Sequence, residues 1–418
     1  MDVRKANRMI LILIILITIT LIVINVGSSP DEGEGAGPPS AVADGDGGVG
    51  ALADGGLFPK LINLGKDATG LGREADGGDG DGAAQTPGLG DQSGEDGSPP
   101  SARPTPPEID LEAVKPNESG FIMVVMFHKF AESFTPTQAD PGEYIMTFDA
   151  FRDLLHTLYD RDYRLISMSD YLNNHIDVPA GCVPIVFTFD DATSSQFSLI
   201  RNGEGELEVD PNTAVGILLE FNETHPDFGV KGLISVCMKM GIFSGIGTVT
   251  EKLAILTGLG FEIGNHTTNH TVLSGVNDKA VLQQLLGENQ AMVNDALGSY
   301  DMEVFTLPQG AMPPRDIREY LYKGWYETTS YEHKGVLLVG ADPARPPGHV
   351  DYSREIPRVR ASGVKLVDYD LTYYLDLLLR SSEYVSDGDP YTVTVPANKA
   401  DKMDPDVIEA QGRTLRIY

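Results

Sequence analysis

Val183-Pro184-Ile185-Val186-Phe187-Thr188-Phe189 is an almost wholly apolar run of strand length that breaks abruptly into Asp190-Asp191. A short continuous apolar run with polar boundaries reads as a strand covered on both faces, and such strands belong to parallel sheets flanked by helices. Two adjacent carboxylates at its end cost free energy unless something compensates them, because like charges so close push one pKa up. A bound metal relieves the cost, with one carboxylate as ligand and the other beside it as base. A helix N-cap with an acidic neighbour is the structural alternative.

Outward from this strand the pattern alternates. Phe121 to Phe127, Tyr163 to Ser167, Lys231 to Met238, Gly260 to Gly264, Glu303 to Leu307 and Gly335 to Val339 read as further strands. Between them, helices are predicted from Thr147, as N-cap, to about Arg161 and from Met168 to Asn174. Others are predicted over Asp210 to His225 (Asp210 capping, Pro211 in the first turn), Thr250 to Leu259, Asp278 to Leu297 and Arg315 to Lys323. This βα alternation implies an α/β fold with a parallel sheet. At least six strands are most simply closed into a barrel, whose active residues lie at the C-terminal strand ends.

Two more segments follow strand ends. Gly264-Asn265-His266-Thr267-Thr268-Asn269-His270 carries two histidines at His-x-x-x-His spacing, which aims both imidazoles at one point. Two histidines and a carboxylate with an open position form a catalytic zinc arrangement. Thr267 stands where a metalloprotease needs Glu, so that chemistry is excluded. Thr306-Leu307-Pro308-Gln309-Gly310 makes a turn whose exposed amides could donate to a developing oxyanion, or a plain turn.

Together these segments resemble the polysaccharide deacetylase family, the carbohydrate esterases with the nodulation-deacetylase homology domain. Thr188-Phe189-Asp190-Asp191 and His266-Thr267-x-x-His270 match in residues, order and strand context, over roughly residues 119–345. The resemblance implies a distorted (β/α) barrel of about seven strands and hydrolysis of N-acetyl, or O-acetyl, groups from an extracellular or cell-wall polysaccharide. It implies one divalent metal on Asp191, His266 and His270: zinc first, with cobalt, nickel or manganese also suited. Asp190 becomes the general base, and the Gln309 backbone amide the oxyanion donor. The sequence departs from the family at Ala192, where Gly is usual, and at Thr306 and Gln309, where an Arg and an aromatic are usual. It lacks the Leu-x-His that supplies the family's general acid; His128, after the first strand, and His349, in Pro346-Pro347-Gly348-His349, are the candidates for an acid or substrate role. The rival expectation is an impaired deacetylase-like module that binds glycan at the cell surface.

Composition sets the surroundings. Sixty-one acids against 31 bases give a formal charge of −30, which disfavours phosphate backbones and makes nucleic acid an unexpected partner. Residues 9–26 form an apolar run long enough for one bilayer crossing, preceded by Arg4, Lys5 and Arg8. The expectation is an uncleaved signal anchor over 1–27, with a cleaved signal peptide as the rival reading and the catalytic part extracellular. Residues 28–110 are rich in Gly, Asp and Pro without apolar periodicity, and read as a disordered tether. The remaining 111–418 is the deacetylase-like domain with a C-terminal extension, expected to act as a monomer and to take an acetylated polysaccharide as its partner. Cys182 and Cys237 both lie in apolar runs and are expected to be unpaired core residues. In the insertion after Asp191, a hairpin turns near Gly203, and Asp370 to Arg380 and Tyr391 to Val395 read as a helix and a strand packed on the barrel.

Overall fold

The computed structural model describes residues 109–340, 342–362, 369–378 and 380–418. The expected anchor and most of the tether lie outside them. No helix among the described residues is long and apolar enough to cross a membrane.

The domain is built on nine strands: β1 (Met123–Phe127), β2 (Tyr163–Leu165), β3 (Val183–Phe189), β4 (Gly232–Val236), β5 (Phe261–Asn265), β6 (Val304–Thr306), β7 (Gly335–Leu337), β8 (Glu355–Ile356) and β9 (Val359–Arg360). Eight lie in the order β8-β7-β6-β5-β4-β3-β1-β9, and β2 pairs with β3. Every pairing is parallel, as the apolar runs implied. β3 is the pivot: its residues Val183 to Ile185 pair with β2 and its last two, Thr188 and Phe189, with β4.

The two ends of the sheet are neighbours in the chain. β8 bonds to β7 and β9 to β1, yet only Pro357 and Arg358 separate them. The curled sheet is consistent with a (β/α) barrel, and Pro357-Arg358 spans its seam. Proline has no N–H to give to a ladder, and the seam is where the strand can dispense with one.

Helices α1 (Phe148–Asp160), α2 (Met168–Leu172), α3 (Ala214–Thr224), α4 (Val249–Gly258) and α5 (Lys279–Leu297) alternate with the strands. Thr147 caps α1 as expected, its hydroxyl accepting from the Ala150 amide at 3.2 Å. α3 corrects the sequence reading: its cap is Thr213, bonded to the Gly216 amide at 3.1 Å, so Pro211 precedes the helix. Asp210 turns its carboxylate to the Asn212 amide at 2.9 Å instead. The expected helix over Arg315 to Lys323 is a 3₁₀ stretch, Arg315–Leu321, entered from Pro313-Pro314 with no side-chain cap. α5 buries Leu282, Leu286, Asn289, Gln290 and Val293 on one stripe. Phe127, Phe130, Phe151, Phe187 and Phe189 form an aromatic cluster beneath the end of β3, with neighbouring centroids 5.0–6.4 Å apart.

The insertion after Asp191 holds the expected hairpin, Leu199–Arg201 against Leu207–Val209. The tail forms a helix, Leu371–Leu377, and a parallel pair, Thr392–Val395 with Thr414–Ile417. It docks where the chain enters β1, through bridges of Asn117 with Val385 and Phe121 with Glu383. Both cysteines are buried and free.

Candidate metal and catalytic site

Asp191, His266 and His270 converge from two strand ends: their ligand atoms all lie within 4.8 Å of one another. Asp191 Oδ1 is 3.6 Å from His266 Nε2 and 3.5 Å from His270 Nε2. Bonds of ~2.1 Å arranged tetrahedrally put neighbouring donors ~3.4 Å apart, so the spacing suits a shared cation better than a direct hydrogen bond.

The tautomer supports that reading. His266 Nδ1 lies 2.8 Å from the Thr306 carbonyl, which can only accept, so the proton is on Nδ1 and the lone pair on Nε2. That Nε2 is buried with no hydrogen-bond partner. A buried acceptor facing a carboxylate oxygen is costly unless a cation lies between them. Burial and then the neighbouring His266 lower the pKa of His270, keeping it in the neutral, ligating form. These residues fit a divalent ion.

Local backbone explains how the strand ends present these groups. Asp191 and Ala192 both have left-handed conformations, φ 74° and 49°. The second accounts for the Gly usual at that position, since a Cβ is disfavoured there. In the histidine loop, Asn265 Oδ1 accepts from the Thr267 amide at 3.1 Å and from Asn289 Nδ2 at 3.0 Å. Asn289, fully buried on α5, also donates to the Val236 carbonyl and accepts from the Met238 amide. It ties the ends of β4 and β5 together, a role its helical position did not disclose.

Asp190 is 1% exposed and gripped end-on by Arg358, with Nη1 to Oδ1 at 2.7 Å and Nη2 to Oδ2 at 2.8 Å. Burial alone would raise its pKa. The guanidinium's charge and paired hydrogen bonds reverse that and hold the carboxyl well below the ordinary range. Arg358 also donates to the Thr188 hydroxyl at 3.0 Å and to the Leu338 carbonyl at 2.7 Å. The arginine missing from the third motif is therefore supplied from the seam between β8 and β9. Sequence reasoning passed over it because Arg358 is 168 residues from Asp190 and sits in a segment with no motif. Its one signal was Pro-Arg inside an apolar-flanked run.

His128 does enter the site, with Nε2 3.7 Å from Asp190 Oδ2 and its ring 4.7 Å from that of Tyr144. Burial lowers its pKa, and Asp190 and Asp191 partly oppose this. His349 does not enter. It is buried against Met403, its Nδ1 accepts from the Asp351 amide at 3.0 Å, and the charged groups around it are Arg345, Asp351 and Lys402. The turn ending in Gly348 and the docked tail hold it there, which corrects the expectation of an acid or substrate role. Gln309 occupies the turn Pro308–Gly310 with φ 54°, just beyond the Thr306 carbonyl that orients His266. A groove of about 410 Å³ opens beside Asp191 and His270, lined also by Lys129, Thr193, Met240 and Ser244. A larger hollow of about 550 Å³, lined by Phe121, Tyr171, Arg345 and Tyr374 among others, holds none of these groups.

Fold and site thus define a class: a parallel α/β protein with two histidines, a carboxylate and a separate arginine-held carboxylate at its strand ends. One part of the chain, residues 246–324, matches the family model of the polysaccharide deacetylases, and that span holds His266, His270 and the Thr306–Gly310 turn. No curated protein matches the chain. Among solved structures it is similar to a Streptococcus pyogenes deacetylase in complex with acetate, at 16% identity over 61% of this chain and 97% of that one, TM-score 0.45. A Bacillus cereus polysaccharide deacetylase is similar at 13% identity over 61% and 68%, TM-score 0.42. A de-N-acetylase from Aggregatibacter actinomycetemcomitans is similar at 12% over 62% and 99%, TM-score 0.41. Likeness at that level says nothing about what this chain acts on.

Proposed function

We propose that this chain is a metal-dependent hydrolase that removes acetyl groups from an acetylated polysaccharide. The observation that carries this reading is the buried, arginine-gripped Asp190 beside three converging metal donors. A ligand-binding site has no use for a second carboxylate held ionised at the cost of burying an arginine.

A divalent cation held by Asp191, His266 and His270 would polarise the acetyl carbonyl and acidify a water. Asp190 accepts the proton of the attacking water, and Arg358 keeps it ionised and aimed. His128 lies close enough to relay that proton to the departing amine, completing cleavage of the C–N bond. Its lowered basicity makes its imidazolium the better acid. The Gln309 amide is the proposed donor to the oxyanion. The impaired-module alternative rested on an absent arginine and an absent acid; Arg358 and His128 supply both groups and favour turnover. The apolar run 9–26 with its preceding basic residues supports anchoring in a membrane, with the domain outside on its tether.

The test is acetate release from an acetylated chito-oligomer, with and without added zinc or cobalt, by wild type and Asp190→Ala. Release that needs the metal and drops by about 10³-fold or more in the variant is expected. Release that survives the substitution would remove Asp190 from the chemistry and overturn the proposal.

A further inference from the structure

β1 and β3 pair in register as far as Phe127 with Phe189, and the last bond between them runs from the Asp190 amide to the Phe127 carbonyl at 3.0 Å. Beyond it the chains part. One continues through His128 into the short strand Lys129–Ala131, the other through the left-handed pair Asp191 and Ala192. The next carbonyls, of half-buried His128 and buried Asp190, have lost their ladder partners and must be satisfied otherwise.

One side chain does this for both. Gln196, fully buried in the insertion, donates from Nε2 to the Asp190 carbonyl at 2.6 Å and to the His128 carbonyl at 2.5 Å. Both partners are carbonyl oxygens, so the atom facing them must be the amide nitrogen. The other end agrees, since Oε1 accepts from the Thr193 amide at 3.1 Å. The Gln196 amide closes the same turn onto the Thr193 carbonyl at 3.1 Å. Next to it, Ser195 Oγ accepts from the Phe130 amide at 3.1 Å, and Phe197 is buried edge-on against Phe243. The turn is therefore clamped to the β1 exit on one side and to the core on the other.

We infer that Gln196 is a positioning residue for the reaction proposed above, and this rests on that reading. It fixes the main-chain atoms of the acid, His128, against those of the base, Asp190, and presents the ligand Asp191 from the same turn. The chemistry needs the His128 and Asp190 side chains near their 3.7 Å separation. No side chain other than Gln196 hydrogen-bonds to both backbones among the described residues. A displacement of 1 Å is enough to cost about 100-fold in rate.

The experiment compares Gln196→Met and Gln196→Glu, which keep the length of the side chain but lose the double donor, with Ser198→Ala from the same insertion. Both Gln196 variants are expected to lower kcat by about 100-fold while KM changes by less than about 3-fold. They should weaken cobalt affinity by about 10-fold and alter the visible spectrum of the bound cobalt. Ser198→Ala should match wild type in all three. Wild-type kcat and an unchanged cobalt spectrum in Gln196→Met would overturn the inference. So would a loss that Ser198→Ala reproduces at equal melting temperature. Should wild type release no acetate with any metal, the deacetylase reading fails on its own, and the cobalt affinity and spectrum still decide the role of Gln196.

Discussion

Two arginines are buried against carboxylates at opposite ends of β1, and they leave their acids in opposite states. At the C-terminal end Arg358 meets Asp190 through two hydrogen bonds of 2.7 and 2.8 Å, and the carboxyl is driven below its ordinary range. At the N-terminal end Arg413 Nη2 stays 3.6 Å from Glu118, outside hydrogen-bond range. Burial pushes Glu118 up to about 8, with the charge of Asp387 adding to it and that of Arg413 and the Thr394 and Asp387 amides opposing. Both acids are almost wholly removed from water. The difference is contact: a bidentate guanidinium at 2.7 and 2.8 Å replaces the lost hydration, while a charge held at 3.6 Å does not. One end of the strand holds an anion ready to accept a proton. The other holds a neutral acid that fastens the tail.

The sharpest way to break this contrast is Arg358→Met. It leaves Asp190 buried without its cation, and should destabilise the fold by ~3–5 kcal/mol in urea titration. Acetate release should fall by about 10³-fold. The sign follows from the pairing: Arg358 holds the base ionised at low pH, so without it burial prevails and the acidic limb of the rate profile moves up by ~1 pH unit or more. An unmoved limb would mean that Arg358 does not control Asp190. Arg358→Lys should rescue little, because an ammonium cannot reproduce the fork.

Next in size is His128→Gln, expected to lower kcat on an acetamide by about 100-fold. On a phenyl acetate, whose leaving group needs no proton, the loss should nearly vanish. An equal loss on both substrates would assign His128 a role in binding and not as acid.

The smallest effect on rate belongs to Glu118→Gln, which should leave acetate release within about twofold. Its signature is in stability. The folded pKa of about 8 stands above the ordinary 4.5, so the contribution of Glu118 is fully present below that ordinary value and declines as pH rises, until the folded group ionises. Melting temperatures measured from pH 5 to 9 should fall more steeply in wild type than in Glu118→Gln. Parallel curves would show Glu118 to be ionised already in the folded state.

What could be read in advance followed from local chemistry. The apolar run of β3 is buried in a parallel sheet because nothing in it demands water, and Thr147 caps its helix because its hydroxyl lies next to a free amide. Where two cappers competed, the sequence reading chose Asp210 and the fold chose Thr213, since the cap depends on where the chain leaves the hairpin. His349 looked eligible by chain position alone, and the docking of the tail removed it.

The amino-acid sequence by itself determined the strand-helix alternation and the chemistry-bearing groups within each strand end: Asp190 with Asp191, and His266 with His270. Those properties rest on side chains a few residues apart, where chain geometry fixes the relation. Only the tertiary structure decided which arginine grips Asp190, that His128 and not His349 faces it, and that Gln196 joins two strand exits. Each of these is a meeting of residues distant in the chain, and the meeting is set by how the sheet curls until β8 and β9 face each other across Arg358.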